Sequence, residues 1–201
     1  MIAQAKVLAL LEKLKERLGL GILIVTHDLG VIAGIADEVA VMHHGKIIEQ
    51  CSAAQHRLKT VHGGNDMIIL KLHKVSKSYR SGTFFNRTKP APILSSVSLA
   101  IETGESIGLV GRSGSGKSTL GRIALGIETA DQGEIYLLGQ KIGSRPNSMP
   151  KHPRRTVQVV FQDGYSSCNP RWTAGKIIQE PVRECHFSPA HCYLRKIMLV
   201  I

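Results

Sequence analysis

A short apolar stretch, Glu105 to Val110, runs directly into Gly111-Arg112-Ser113-Gly114-Ser115-Gly116-Lys117-Ser118-Thr119, and the residues from Gly116 to Gly126 read as a helix. This limits the chain to few architectures. The spacing Gly111-x4-Gly116-Lys117-Ser118 fits GxxxxGK[ST] in full, after a strand and before a helix. In that context successive backbone N–H groups turn towards phosphate oxygens, and the helix N-terminus adds a positive dipole. Lys117 is then expected to reach the β- and γ-phosphates, and the Ser118 hydroxyl to ligate magnesium. A Gly/Ser turn that matches by accident leaves the flanking strand and helix unexplained.

The second constraint is order. Val7, Leu8, Leu11, Leu14 and Leu18 recur at helical intervals over residues 3–18, and Gly19 and Gly21 end that helix. Gly21 to Thr26 is short, apolar and partly β-branched, as a parallel strand covered on both faces should be. His27-Asp28 opens a second helix through about Ala36, and residues 38–43 and 46–50 form a hairpin around His44-Gly45. The pattern dissolves over 51–66, a junction. Strands are expected again over 68–79 and 93–102, separated by a polar excursion from Arg80 to Pro92, and then over 133–138 and 156–161. From Arg183 to Ile201 no element is assigned; the run Ile197-Met198-Leu199-Val200-Ile201 has no polar face and, if exposed, would be an aggregation hazard.

Composition excludes more than it selects. The 201 residues, 43% hydrophobic, suffice for one core or two partial ones. The apolar runs are strand-length, short of the roughly 20 residues of a membrane-spanning helix, and the charges of residues 6–17 are unlike a signal peptide. A cytosolic chain with reduced thiols follows, since the four cysteines form no CxxC pair. The net charge of +11 is spread along the chain with one short cluster, Lys151 to Arg155, so a solvated basic surface is preferred to a nucleic-acid site. Cys185-His186 and His191-Cys192 carry soft ligands, but their spacing matches no common zinc arrangement.

The flanks of the loop carry a family likeness. Leu70 to Tyr79 ends a strand on an aromatic, Gly133-Glu134-Ile135-Tyr136 follows the loop, and Gln158-Val159-Val160-Phe161-Gln162-Asp163 ends a strand on glutamine. Together these resemble the amino-terminal half of the ATP-binding subunit of ABC transporters. The stretch Phe161-Gln162-Asp163, then Asn169-Pro170-Arg171 and Ile178-Gln179-Glu180-Pro181, is similar to the peptide and nickel importer type. Ile24 to Leu29 resembles the switch-histidine segment of the same family, and Val41 to Gln50 the hairpin after it.

The resemblance implies an α/β P-loop NTPase fold with an antiparallel β portion, and ATP and Mg2+ as cofactors. It implies that Tyr79 stacks on adenine, that Gly111, Ser113, Gly114, Ser115, Gly116, Lys117, Ser118 and Thr119 hold the phosphates, and that Ser118 and Gln162 face magnesium. Gln162 and His27 would serve hydrolysis. Taken alone, Tyr79 reads equally as a strand aromatic, Gln162 as a turn residue and His27 as a structural hydrogen-bonding residue. The implied partners are integral-membrane permease subunits and a second ATPase subunit, on the inner face of the membrane, with no specific nucleic acid.

Residues 1–50 thus correspond to the tail of one cassette and 67–182 to the head of another, with 51–66 the junction and 183–201 an unassigned tail. Between Gln162 and Ile201 no LSGGQ-like signature and no run of four apolar residues followed by Asp-Glu occurs, so the cassette is expected to be incomplete and to bind ATP with little turnover. Three arrangements fit: a truncated or fused pair of cassettes, which the order favours; a permuted core in which strand 21–26 docks beside strand 106–110; or a nucleotide-dependent nucleic-acid binder.

Overall fold

The computed structural model describes residues 2–27, 29–52, 67–79, 90–142, 157–160, 169–177, 179 and 197–200. Helix α1 (Ile2–Leu18) ends at Gly19 and leads into β1 (Gly21–Val25), whose five residues are all buried. Next come α2 (Leu29–Ala33), β2 (Glu38–His43) and β3 (Lys46–Ser52). The pairing of His43 with Lys46 leaves a two-residue turn, His44-Gly45, both with positive φ (44° and 74°), the type I′ geometry that suits strand twist. Strands β4 (Ile68–Tyr79), β5 (Ala91–Glu102) and β6 (Ser106–Val110) precede α3 (Lys117–Ala124). After it lie β7 (Gln132–Leu137), β8 (Gln140–Lys141), β9 (Val157–Val160) and β10 (Ile197–Val200).

One six-stranded sheet has the order β3-β2-β6-β1-β10-β9; the other has four strands in the order β5-β4-β7-β8. In the first, β6 runs parallel to β1 on one side (Ile22 opposite Ser106) and to β2 on the other (Glu38 opposite Ile107). The early strand therefore lies beside the strand that feeds the glycine-rich loop. The second sheet is antiparallel throughout. Its inner face, with Ile69, Leu72, Val97 and Ile101, shares a core with Leu23, Met42, Ile107 and Leu109 of the first sheet and Leu120 and Ile123 of α3. This layered packing is the α/β arrangement expected, antiparallel portion included.

Two differences from the sequence reading have plain causes. The run Ile197–Val200 is a strand paired in parallel with β1 on one side and β9 on the other; with no period of its own, the apolar run gives no signal of which partners it finds. Strand β5 begins at Ala91 and takes in Pro92, which the missing N–H permits because β5 is the edge of its sheet.

At the N-terminal edge of the parallel strands lies a compact polar cluster. The Lys15 ammonium donates to the Asp37 carboxylate at 2.5 Å and to Ser106 Oγ at 3.0 Å. Ser106 gives its amide to the same carboxylate at 2.8 Å and its hydroxyl to the Ile35 carbonyl at 2.6 Å. The cluster joins α1, the turn before β2 and the start of β6.

Candidate nucleotide site

The opposite, C-terminal edge of the parallel strands carries the glycine-rich loop, where open α/β sheets place their ligands. Gly111 leaves β6 with φ +154°, and a Cβ there would stand 2.2 Å from the Met42 carbonyl oxygen. Only glycine fits that exit. The loop closes through the Ser115 amide on the Arg112 carbonyl, at 3.2 Å, and Gly116, in the left-handed region, caps α3. Ser115, Gly116 and Thr119 are buried, while Ser113, Gly114 and Ser118 face outward.

Lys117, the first residue of α3, folds back over the loop. Its ammonium donates to the Gly111 carbonyl at 2.6 Å, the Arg112 carbonyl at 2.9 Å and, weakly, Ser115 Oγ at 3.4 Å. All of these acceptors are neutral, and burial holds the ammonium below the ordinary lysine range. A partly desolvated cation, backbone amides and a helix N-terminus at one point make a site for an anion carrying several negative charges. The exposed Ser118 hydroxyl at the second position of α3 has the chemistry to ligate a hard cation such as Mg2+.

The other expected site residues fall in three classes. His27 is exposed and lies two residues beyond Val25, which pairs with Leu109; Gly111 lies two residues beyond Leu109, so both leave the sheet at the same edge. Tyr79, 38% exposed, ends β4 with its hydroxyl donated to Glu128 and the Lys77 ammonium 5.7 Å from its ring centroid. Glu128 in turn receives Arg122 Nε of α3 at 3.3 Å, which links the tyrosine to the helix that the loop opens. Gln162 lies outside the described residues, two positions beyond Val160 at the end of β9. The cysteines and histidines of 185–192 also lie outside them, and no cluster of metal-ligating side chains occurs among the described residues.

Sequence reasoning missed the support beneath the loop. The amide of Gly45, in the β2–β3 turn, donates to the Ser115 carbonyl at 3.0 Å. Main-chain contacts of this kind leave no residue signature except the glycine itself.

The fold and this loop define a P-loop NTPase of mixed α/β architecture. The ABC transporter family model matches residues 94–194, half of the chain, and the chain belongs to that family. Among curated relatives, the glutathione import ATP-binding protein GsiA of Salmonella paratyphi A is 30% identical over 90% of this chain and 36% of its own length. GsiA of Escherichia coli K12 is 31% identical over the same shares. The chain thus spans about a third of the relatives it matches. A solved structure, the dimeric structure of MJ0796, a bacterial ABC transporter cassette, aligns with a TM-score of 0.50 at 27% identity, over 59% of this chain and 49% of that one. No described helix is long and apolar enough to cross a membrane.

Proposed function

We propose that this chain is an ATP-binding component of an ABC importer, and that it holds Mg-ATP at the Gly111–Thr119 loop. The observation that carries the reading is the Lys117 ammonium, held over the loop by neutral oxygens alone at the N-terminus of α3. On binding, the triphosphate supplies the negative charge that the loop lacks: Lys117 meets the β- and γ-phosphates, amides of Ser113 to Thr119 cradle them, and Ser118 holds Mg2+. Tyr79 presents its ring to adenine. His27, which leaves the sheet at the loop's edge, and Gln162 serve the γ-phosphate end.

In this reading residues 1–50 derive from the tail of a cassette and 67–182 from the head of another, joined by 51–66, with 183–201 beyond. Its partners are permease subunits and a second ATPase subunit at the inner face of the membrane. The cargo is a peptide or nickel; the cargo named for the GsiA relatives, glutathione, is itself a small peptide. A second reading, a permuted nucleotide-binding protein without a transport role, is favoured by one observation: β1 pairs with both β10 and β6 in a single sheet.

Titration calorimetry of the purified chain with Mg-ATP tests the proposal. Lys117→Ala is expected to weaken binding about 10- to 100-fold, the worth of charge-assisted hydrogen bonds. Equal affinity in the two proteins would sink it. Hydrolysis by the chain alone is expected to be negligible; steady phosphate release abolished by Lys117→Ala would overturn that part.

A further inference from the structure

The turn between β2 and β3 lies against the phosphate loop, and the contacts between them run through main-chain atoms. Gly45 donates its amide to the Ser115 carbonyl at 3.0 Å, and its own carbonyl accepts from the Ser95 amide of β5 at 2.8 Å. A Cβ at Gly45, where φ is +74°, would stand 2.2 Å from the Ile93 carbonyl oxygen. The turn is therefore clamped between β5 and the loop, with room for glycine only. A trans peptide holds its C=O and the following N–H on opposite sides. Fixing the Ser115 carbonyl towards Gly45 thus turns the Gly116 N–H away from the hairpin.

We infer that the His44-Gly45 turn is a positioning element of the nucleotide site: Gly45 sets the Ser115–Gly116 peptide so that the Gly116 amide is presented to phosphate. The inference rests on the Mg-ATP reading above. It gives the hairpin of residues 38–52 a part in binding although none of its side chains need touch the nucleotide. It also makes the loop's shape depend on a segment far upstream in the chain.

Two variants of the full chain test it. Gly45→Ala adds the colliding Cβ, whereas replacing the Gly45 amide by an ester through semisynthesis removes the donor without adding volume. The ester form is expected to bind Mg-ATP about tenfold more weakly and, without nucleotide, to shift the Gly116 amide resonance while those of β4 and β7 stay in place. A folded ester variant with unchanged affinity and an unchanged Gly116 resonance overturns the inference. Shifts spread evenly over the protein overturn it as well, because they mark general loosening. If neither variant folds, the scalar coupling across the Gly45–Ser115 hydrogen bond in the unaltered protein decides, its absence being fatal. If the unaltered chain binds no Mg-ATP, the proposed function fails, and the Gly116 resonance alone judges the turn.

Discussion

The two edges of the parallel strands each hold a lysine against oxygen atoms, and the company each keeps differs. At the N-terminal edge the Lys15 ammonium meets a carboxylate, Asp37, and a hydroxyl, Ser106. Burial pushes the Asp37 carboxyl up, but hydrogen bonds from Lys15 and Ser106, with the Lys15 charge, outweigh it and leave the group below its ordinary value. At the C-terminal edge the Lys117 ammonium meets main-chain carbonyls and a weak hydroxyl contact, and burial alone moves it, downward. One charge is answered within the protein; the other is answered only in part. Removing one partner of such a part-buried pair strands the other, whereas a cation among neutral acceptors keeps an affinity for something anionic.

The contrast breaks first at Asp37. Asp37→Leu removes the carboxylate that the Lys15 ammonium, whose side chain is 11% exposed, pairs with. The expected loss is about 2–3 kcal/mol in urea unfolding, under the usual cost of breaking a fully buried pair because solvent reaches the carboxylate. A loss below about 1 kcal/mol would place Lys15 in the same class as Lys117. Lys117→Met should do the reverse. It removes a partly desolvated cation that has no carboxylate partner, so the melting temperature at neutral pH is expected to hold or rise while Mg-ATP binding weakens as in Lys117→Ala. A clear drop in melting temperature would show that the lysine is structural.

The smallest effects separate the edges by pH. Because the folded Asp37 carboxyl lies below its unfolded value, its stabilisation is present above about pH 4 and is lost as pH falls through the folded value. Acid unfolding of Asp37→Asn should therefore be shallower than that of the unaltered protein. The folded Lys117 ammonium also lies below its unfolded value, so it costs stability at neutral pH, and that cost is relieved as pH rises towards about 10. The margin of Lys117→Met over the unaltered chain should shrink along that path. A constant margin would mean that the desolvation of Lys117 is unimportant.

What could be read in advance was whatever local chemistry dictates. The glycine spacing, the two-residue turn at His44-Gly45 and strand β4 from Ile68 to Tyr79 stand where the sequence puts them, because turn residues and apolar alternation act over a few positions. Strand β10 was not legible. Its apolar run has no period of its own, and its neighbours, β1 and β9, lie far away along the chain. Lys15 read as one of several charges on a helix, since only the fold brings Asp37 and Ser106 to it. Of the site, the loop was explicit, whereas the links from Tyr79 to Glu128 and from Gly45 to Ser115 depend on tertiary placement.

The sheet order has a further consequence, one of timing. β1 precedes both of its neighbours, β6 and β10, by a wide margin in the chain. During synthesis its five residues are made before either neighbour and must wait for strands that follow. Pairing of that kind is slow, because loop closure is costly before any contact repays it. Between the synthesis of β1 and that of β6 the strand therefore has neither of its sheet neighbours, and a holding chaperone should raise the soluble yield more than a faster refolding solvent would.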